Sequence, residues 1–359
     1  MNVGLDATYS LGRALSGVGV YCRRLIEEIV AAAPEFHFIL YYRPHRFFRS
    51  LLEQRWPSNV SRRLLEEPLN VFLPRRVAVF HGLNQRLPRY SFRQAITTFH
   101  DLFALTGEYS TPEFRERFAA LARDAAARSG LVIAVSCYTA HCVEALLGVE
   151  SSRIVVIHHG VDPIPEFAAE DLKAFRRRFR LERPFLLHVG ALQARKNILR
   201  LIEAFETLEG DVDLVLAGSD GYKAEEIHAR IANSPARQRI RALGYLPNGA
   251  IERLYRSAAA LAFPSLEEGF GLPVLEAMSA GLPVVTSNCS ALAEIAGGAA
   301  LLVDPLDTAA LAEGLSRAAA DSSLRRELIE KGRARAAQFT WRRAAERTRD
   351  AYRQFRGCE

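Results

Sequence analysis

Two short stretches place charged side chains beside glycines in a way that suits a phosphorylated ligand. The first runs Pro264, Ser265, Leu266, Glu267, Glu268, Gly269, Phe270, Gly271, Leu272, Pro273, Val274, Leu275, Glu276. Glycines let backbone amides approach an anion, and a helix N-terminus adds partial positive charge. Pro273 suits a first helical turn. Glu268 stands at the loop's entrance and Glu276 within the following helix, where either carboxylate could accept hydrogen bonds from sugar hydroxyls. A plain strand-to-helix turn with two solvated glutamates would use the same residues. The second stretch is His188, Val189, Gly190, Ala191, Leu192, Gln193, Ala194, Arg195, Lys196, Asn197. Arg offers a fork of donors and Lys a point charge, a fitting pair for the two phosphates of a diphosphate. Two solvated cations ahead of a helix is the plainer alternative. Of 47 basic residues the only lysines are Lys173, Lys196, Lys223 and Lys331, so a lysine at this place stands out. Neither stretch is a dinucleotide fingerprint, because the third glycine of G-x-G-x-x-G falls on Val274. Gly17-Val18-Gly19 fails likewise at Cys22, and no G-x-x-x-x-G-K-[ST] loop occurs.

These residues must be held by strands and helices, and the hydrophobic pattern supplies them in alternation. The first half predicts strands at 3–7, 36–42, 77–81, 95–99, 131–136 and 154–158, with helices near 20–33, 112–128 and 138–147. A proline-containing charged segment, 163–184, separates it from a second half with the same grammar. There the pattern predicts strands at 185–189, 213–217, 240–243, 260–263, 283–286 and 300–303. Helices are predicted at 198–208, 224–231, 250–257, 273–280 and from Thr308 onward. Such alternation predicts two doubly wound parallel sheets covered by helices. The expected division is 1–163, 164–339, and a final helix 340–359 returning to the first domain. Ligands in such sheets bind beyond the carboxyl ends of the strands, where both charged stretches fall.

Bulk composition agrees. A chain of 359 residues, 49% hydrophobic and 25% charged, fits two soluble domains with a cleft between them. No apolar run reaches the roughly 18 residues of a membrane span, and the N-terminus shows no basic leader, so a cytoplasmic location is expected. Cys22, Cys137, Cys142, Cys289 and Cys358 form no Cys-x-x-Cys pair, which argues against a disulfide framework or zinc site. Net charge is +6 but uneven: Arg43 to Arg93 holds eleven Arg against three Glu, a local excess of +8. Interleaved with Phe47, Phe48, Trp56 and Phe72, this strip is expected either to face an anionic acceptor or membrane headgroups, or to be an Arg-rich solvated surface. No partnership with nucleic acid is expected.

The two charged stretches together resemble the donor site of retaining glycosyltransferases of the GT-B fold, family 4, whose pattern sets an acid on either side of a Gly-Phe-Gly-Leu-Pro stretch. Gly244-Tyr245-Leu246, Ala280 to Val285 and Val303-Asp304-Pro305 also fit, so the similarity covers most of the chain. The resemblance implies that Glu276 binds the nucleotide ribose, Arg195 and Lys196 the diphosphate, and Glu268 the transferred sugar. Gly190 and the run Gly269, Phe270, Gly271, Leu272 would line the donor, and Gly244, Tyr245 and Leu246 would border the base. In the first domain, Gly17 and Gly19 match a glycine loop facing the donor phosphates, and His100, followed by Asp101, matches a histidine near the transferred sugar. A helix start and a structural histidine remain the alternatives. Ser136 and Thr139 are read first as a helix cap.

Cleavage of the sugar–diphosphate bond builds negative charge on the phosphate, which cations and backbone amides stabilise. No Asp-x-Asp or histidine cluster compels a metal, and no cofactor is expected beyond the nucleotide-sugar co-substrate. The resemblance implies retention by front-face attack, with domain closure bringing His100 and the Gly17 loop to the donor. Ser219, Asp220, Gly221, Tyr222 and Lys223 resemble the corresponding loop of mannosyltransferases, which makes GDP-mannose the first expectation and a UDP-sugar the second. The acceptor would be a glycan or lipid-linked sugar. The competing readings are a GT-B sugar phosphorylase or nucleotide-sugar epimerase, and a non-catalytic binding subunit.

Overall fold

A computed structural model describes residues 1–12, 14–53, 56–67 and 76–357. Arg55, Phe72, Arg75 and Cys358 lie outside them, as does the side chain of Glu53. The chain divides into two compact units, one of Met1–Thr106, Pro112–Gly160 and Phe339–Glu359, the other of Gly107–Thr111 and Val161–Gln338.

The first unit is built on β1 (Asn2–Asp6), β2 (His37–Tyr42), β3 (Val60–Leu64), β4 (Val79–Gly82), β5 (Ala95–Phe99), β6 (Leu131–Ala134) and β7 (Ile154–Val156). Their order is β3-β2-β1-β4-β5-β6-β7, and every pair is parallel. The second unit holds β8 (Phe185–Val189), β9 (Asp213–Ala217), β10 (Ile240–Gly244), β11 (Ala260–Phe263), β12 (Val284–Ser287) and β13 (Leu301–Val303), ordered β10-β9-β8-β11-β12-β13 and again all parallel. Parallel sheets need helical crossovers that bury both faces, so their inner strands read as unbroken apolar runs. Leu186, Leu214, Leu216, Ala260, Ala262 and Val285 accordingly share one core with Leu201, Ile202 and Phe205 of the helix Ile198–Glu206.

Five elements differ from expectation. Helix α1 spans Gly17–Ala32, starting earlier than 20 because the Ser16 hydroxyl caps it by accepting from Gly19 N at 3.3 Å. Helix α2, Pro44–Glu53, and β3 lie in the basic strip, for which the hydrophobic pattern predicts no element. Strand β3, Val-Ser-Arg-Arg-Leu, is an edge strand and needs no inner-strand apolar run. The segment read as a charged connection contains the helix Ala169–Arg178, with Glu170 and Asp171 in its first turn and Arg176, Arg177 and Arg178 in its last. That order of charges complements the helix dipole. A short helix, Ser290–Ala296, also follows β12.

The C-terminal helix Trp341–Gly357 packs beside α1 in the first unit. Its Tyr352 hydroxyl lies 2.6 Å from His81 Nδ1, on β4.

Candidate active site

In both sheets the strand order reverses direction once, at β1/β4 and at β8/β11. Open parallel sheets bind ligands beyond the carboxyl ends of the strands at such a switch point. In the second unit the two adjacent loops there are the two charged stretches: β8 leads to Arg195 and Lys196, and β11 leads to Glu268.

Local geometry fixes each loop. After β8 the chain makes a short 3-10 turn at Ala194–Lys196 and then passes through Asn197 in the left-handed region, φ 58°. Asn tolerates that conformation better than most residues, and its side-chain amide is anchored by donating to Pro305 O at 2.7 Å. The two loops are stitched together where Leu266 N donates to Arg195 O at 2.9 Å. The β11 loop is also tied to the helix Ser290–Ala296: Glu268 N donates to Ser290 Oγ at 3.2 Å and Ala291 N to Glu268 O at 3.2 Å. Gly271 ends the loop at φ 104°, where a Cβ would stand 2.7 Å from a Leu292 methyl. The left-handed conformation therefore favours glycine there. The helix Leu272–Ser279 begins at once, with Pro273 in its first turn.

The side chains converge on Glu268. Its Oε2 accepts from Arg195 Nη1 at 3.0 Å, and its Oε1 accepts from Lys196 Nζ. All three residues are buried, each 8% exposed. Burial pushes the Glu268 carboxyl up, but the Arg195 and Lys196 charges and their hydrogen bonds outweigh it, leaving the group lowered to about 2. The triad thus keeps one net positive charge inside the loops. Arg195 Nη1 also donates to Glu267 O, which sets the guanidinium plane.

His188, within β8, forms the floor of this cluster and is a residue to which sequence reasoning assigned no role. It is fully buried, stacks on Phe263 at 5.6 Å between centroids, and places Nδ1 3.1 Å from Ala262 O. The carbonyl can only accept, so Nδ1 carries the proton and Nε2 presents a lone pair. Lys196 Nζ lies 4.9 Å from the centre of the same Phe263 ring. Burial, aided by the Lys196 charge, lowers the histidine to about 4 and keeps it neutral. A Cβ on Gly190 would stand 3.5 Å from His188 Nε2 and 3.6 Å from Lys196 Cε, so the glycine leaves that approach open.

Glu276 is held apart from this triad. It is half-buried and accepts from the Tyr255 hydroxyl at 2.8 Å; its carboxyl is raised by burial. Tyr255, on the helix Asn248–Ser257, is a second residue that sequence reasoning did not single out. Gly244 takes φ 66°, and its carbonyl accepts from Gly218 N at 2.9 Å, tying the loop after β10 to the loop after β9. Tyr245 next to it is 53% exposed, and Leu246 is half-buried. Gly269 and Phe270 are buried, and Leu272 is half-buried.

In the first unit, Gly17 and Gly19 form the first turn of α1 rather than a loop ahead of it. His100 follows β5 and is buried. Its Nε2 is 2.9 Å from Leu83 O, and its Nδ1 is 3.4 Å from His159 Nε2. A carbonyl acceptor again fixes the tautomer: Nε2 is protonated and Nδ1 faces His159. Burial lowers His100 to about 4, so the ring is neutral at physiological pH. Tyr21 packs edge-on against it at 4.7 Å. Ser136 does cap a helix, Cys137–Leu147, accepting from Thr139 N at 3.0 Å.

The sequence's Asp-x-Asp, Asp211-Val212-Asp213, leads into the amino end of β9, on the edge opposite the site. Asp213 is ion-paired there with Arg183 at 3.7 Å and Arg241 at 3.5 Å. Among the described residues, no helix is long and apolar enough to cross a membrane.

The family description "Glycosyl transferases group 1" matches residues 170–335, and "Glycosyltransferase Family 4" matches residues 15–164. The O-antigen chain mannosyltransferase B of Escherichia coli is 30% identical over 97% of this chain and 98% of its own. Among solved structures, the sucrose-phosphate synthase of Thermosynechococcus elongatus aligns with a TM-score of 0.78 and 21% identity over all of both chains. Anabaena Alr3699/HepE, solved with UDP and glucose, aligns with a TM-score of 0.77 and 18% identity over 98% of this chain and 99% of that one. Those likenesses identify the fold as GT-B, in keeping with the two parallel sheets. With both halves matched and a relative aligned along nearly its whole length, the chain belongs to glycosyltransferase family 4, the group 1 glycosyl transferases, and is a glycosyltransferase.

Proposed function

We propose that the protein transfers mannose from GDP-mannose to a glycan or lipid-linked acceptor, with retention of anomeric configuration. The observation that carries the donor reading is the buried Arg195–Glu268–Lys196 cluster at the β8/β11 switch point. A diphosphate draws on both cations and on the amides of the Gly269 to Gly271 turn, and stabilisation of the leaving phosphate grows as charge develops on it. Glu268, held by two hydrogen bonds, presents its remaining lone pairs to hydroxyls of the transferred sugar. Glu276 accepts from the ribose, with Tyr255 orienting it. His100 serves transfer in this reading as a neutral group whose tautomer is fixed by Leu83 O.

Retention by front-face attack agrees with the state of Glu268. Both its oxygens are engaged by cations, which withdraws charge from them and makes the carboxylate a poor covalent nucleophile. The choice of mannose is supported by the mannosyltransferase relative and by the Ser219 to Lys223 loop. That loop is fixed beside the cationic turn: Leu192 N donates to Ser219 O, and Gly221 N to Leu192 O, both at 2.9 Å.

Thermal denaturation with GDP, UDP, ADP and their sugars tests the donor. A nucleotide present at about 100 times its dissociation constant adds about 2.7 kcal/mol of stability. GDP and GDP-mannose are expected to raise Tm, and a shift with UDP but none with GDP would refute the mannose assignment.

A further inference from the structure

Exposed large apolar side chains are unevenly spread over the described residues. Phe114, Leu146 and Tyr245 stand singly, and Leu302 and Leu306 lie four residues apart on and just after β13, whereas Phe48, Leu51 and Leu52 are exposed by 76%, 53% and 88% on a single turn of α2. At positions i, i+3 and i+4 they form one ridge, continued by the exposed Pro44 one turn earlier. Arg46, Phe47 and Ser50 lie on the inward side of the helix, half-buried or buried. Arg46 Nη1 donates to Leu11 O at 3.1 Å, and Ser50, only 1% exposed, donates to Phe47 O at 2.6 Å. Surface helices ordinarily turn most of their large apolar side chains inward, whereas α2 turns only Phe47 that way. Within the chain itself nothing is gained by leaving a Phe and two Leu in water on adjacent positions.

The surroundings of the ridge are cationic. His45 and Arg49 are exposed on its flank, Arg63 is exposed on the neighbouring strand β3, and the sequence of α2 carries two Arg and one His against a single Glu. We propose that α2 is an interfacial helix that lays Phe48, Leu51 and Leu52 into the headgroup–acyl boundary of an anionic bilayer, with His45 and Arg49 at the level of the lipid phosphates. An apolar face with cationic flanks is what such helices use. Three side chains on one turn are too few for a stable dimer, which buries about 800 Å² per partner. A bilayer needs only an insertion of about 5–10 Å. The proposal is independent of the donor and acceptor assignments, because its test reads binding and not transfer.

The test is sedimentation of the full chain with vesicles of phosphatidylcholine alone and of phosphatidylcholine containing about 30% phosphatidylglycerol, at low and high salt. The wild type is expected to sediment with the anionic vesicles, more weakly with neutral ones and more weakly in high salt. A Phe48→Ser/Leu52→Ser variant is expected to lose at least about tenfold in partitioning with Tm unchanged, since both side chains are exposed. Arg49→Glu is expected to lower binding to the anionic vesicles alone. Absence of wild-type sedimentation at low salt, or equal binding by the Ser variant, would overturn the proposal. So would light scattering that finds a wild-type dimer dissociated by the Ser substitutions, which would make the ridge a contact between copies.

Discussion

In a Lys196→Met variant, kcat/KM for the proposed donor falls by about 10²- to 10³-fold, the size of effect seen when one fixed donor to a developing anion is removed. The nucleotide diphosphate also binds more weakly, because Met keeps the apolar stem over Phe263 but not the charge. Stability falls as well. Glu268 would be left buried with Arg195 as its remaining ionic partner, and breaking a buried pair from one side costs about 3–5 kcal/mol. Lys196→Arg should recover much of the stability and less of the activity, since a planar fork replaces a compact point charge. Steady-state kinetics beside urea denaturation separates the two losses. Unchanged kcat/KM in the Met variant would remove Lys196 from the donor site.

Glu268→Gln is expected to behave differently. Transfer falls by about 10²-fold or more because an oriented carboxylate on the sugar is lost, yet nucleotide diphosphate binds as tightly as before or more tightly. The two cations, relieved of their internal counter-charge, are then free for phosphate. The same substitution changes the pH dependence of stability. Glu268 is lowered to about 2 in the folded chain, below its unfolded value of about 4.3. Its contribution is therefore fully present above pH about 4.3 and is lost as pH falls toward 2. Denaturation midpoints measured between those limits should fall for the wild type and show a shallower dependence for the Gln variant. Parallel profiles would mean that Glu268 is not held by the cations.

Much of this site was legible before any coordinates, for identifiable reasons. The strands 95–99, 185–189, 213–217 and 260–263 were read with the bounds they have because doubly covered parallel strands are short apolar runs with turn signals at each end. Arg195, Lys196 and Glu268 could be assigned to one site from sequence because each stretch follows a strand of the same sheet; the adjacency of β8 and β11 and the ion pairs between the three side chains were not legible there. Two kinds of information were hidden. His188 and Tyr255 look like core residues by type; what distinguishes them is contact, a lone pair beside Gly190 and a hydroxyl on Glu276. The strip Arg43 to Arg93 drew attention to charge and concealed α2 and β3. An inverted helix has the right period but the wrong face outward, and an edge strand rich in Arg has no apolar signature. The Asp-x-Asp at Asp211 shows the converse, a familiar spacing at the amino edge of the sheet, where it serves an ion pair.

The central claim divides the two acids: Glu276 serves the nucleotide and Glu268 the transferred sugar. Calorimetric titration of GDP, or of whichever nucleotide raises Tm, into the wild type, Glu276→Ala and Glu268→Gln tests it directly. Loss of two hydrogen bonds to ribose should weaken binding to Glu276→Ala by about tenfold or more, while Glu268→Gln binds at least as well as the wild type. Equal weakening of the two variants, or weakening confined to Glu268→Gln, would contradict the account.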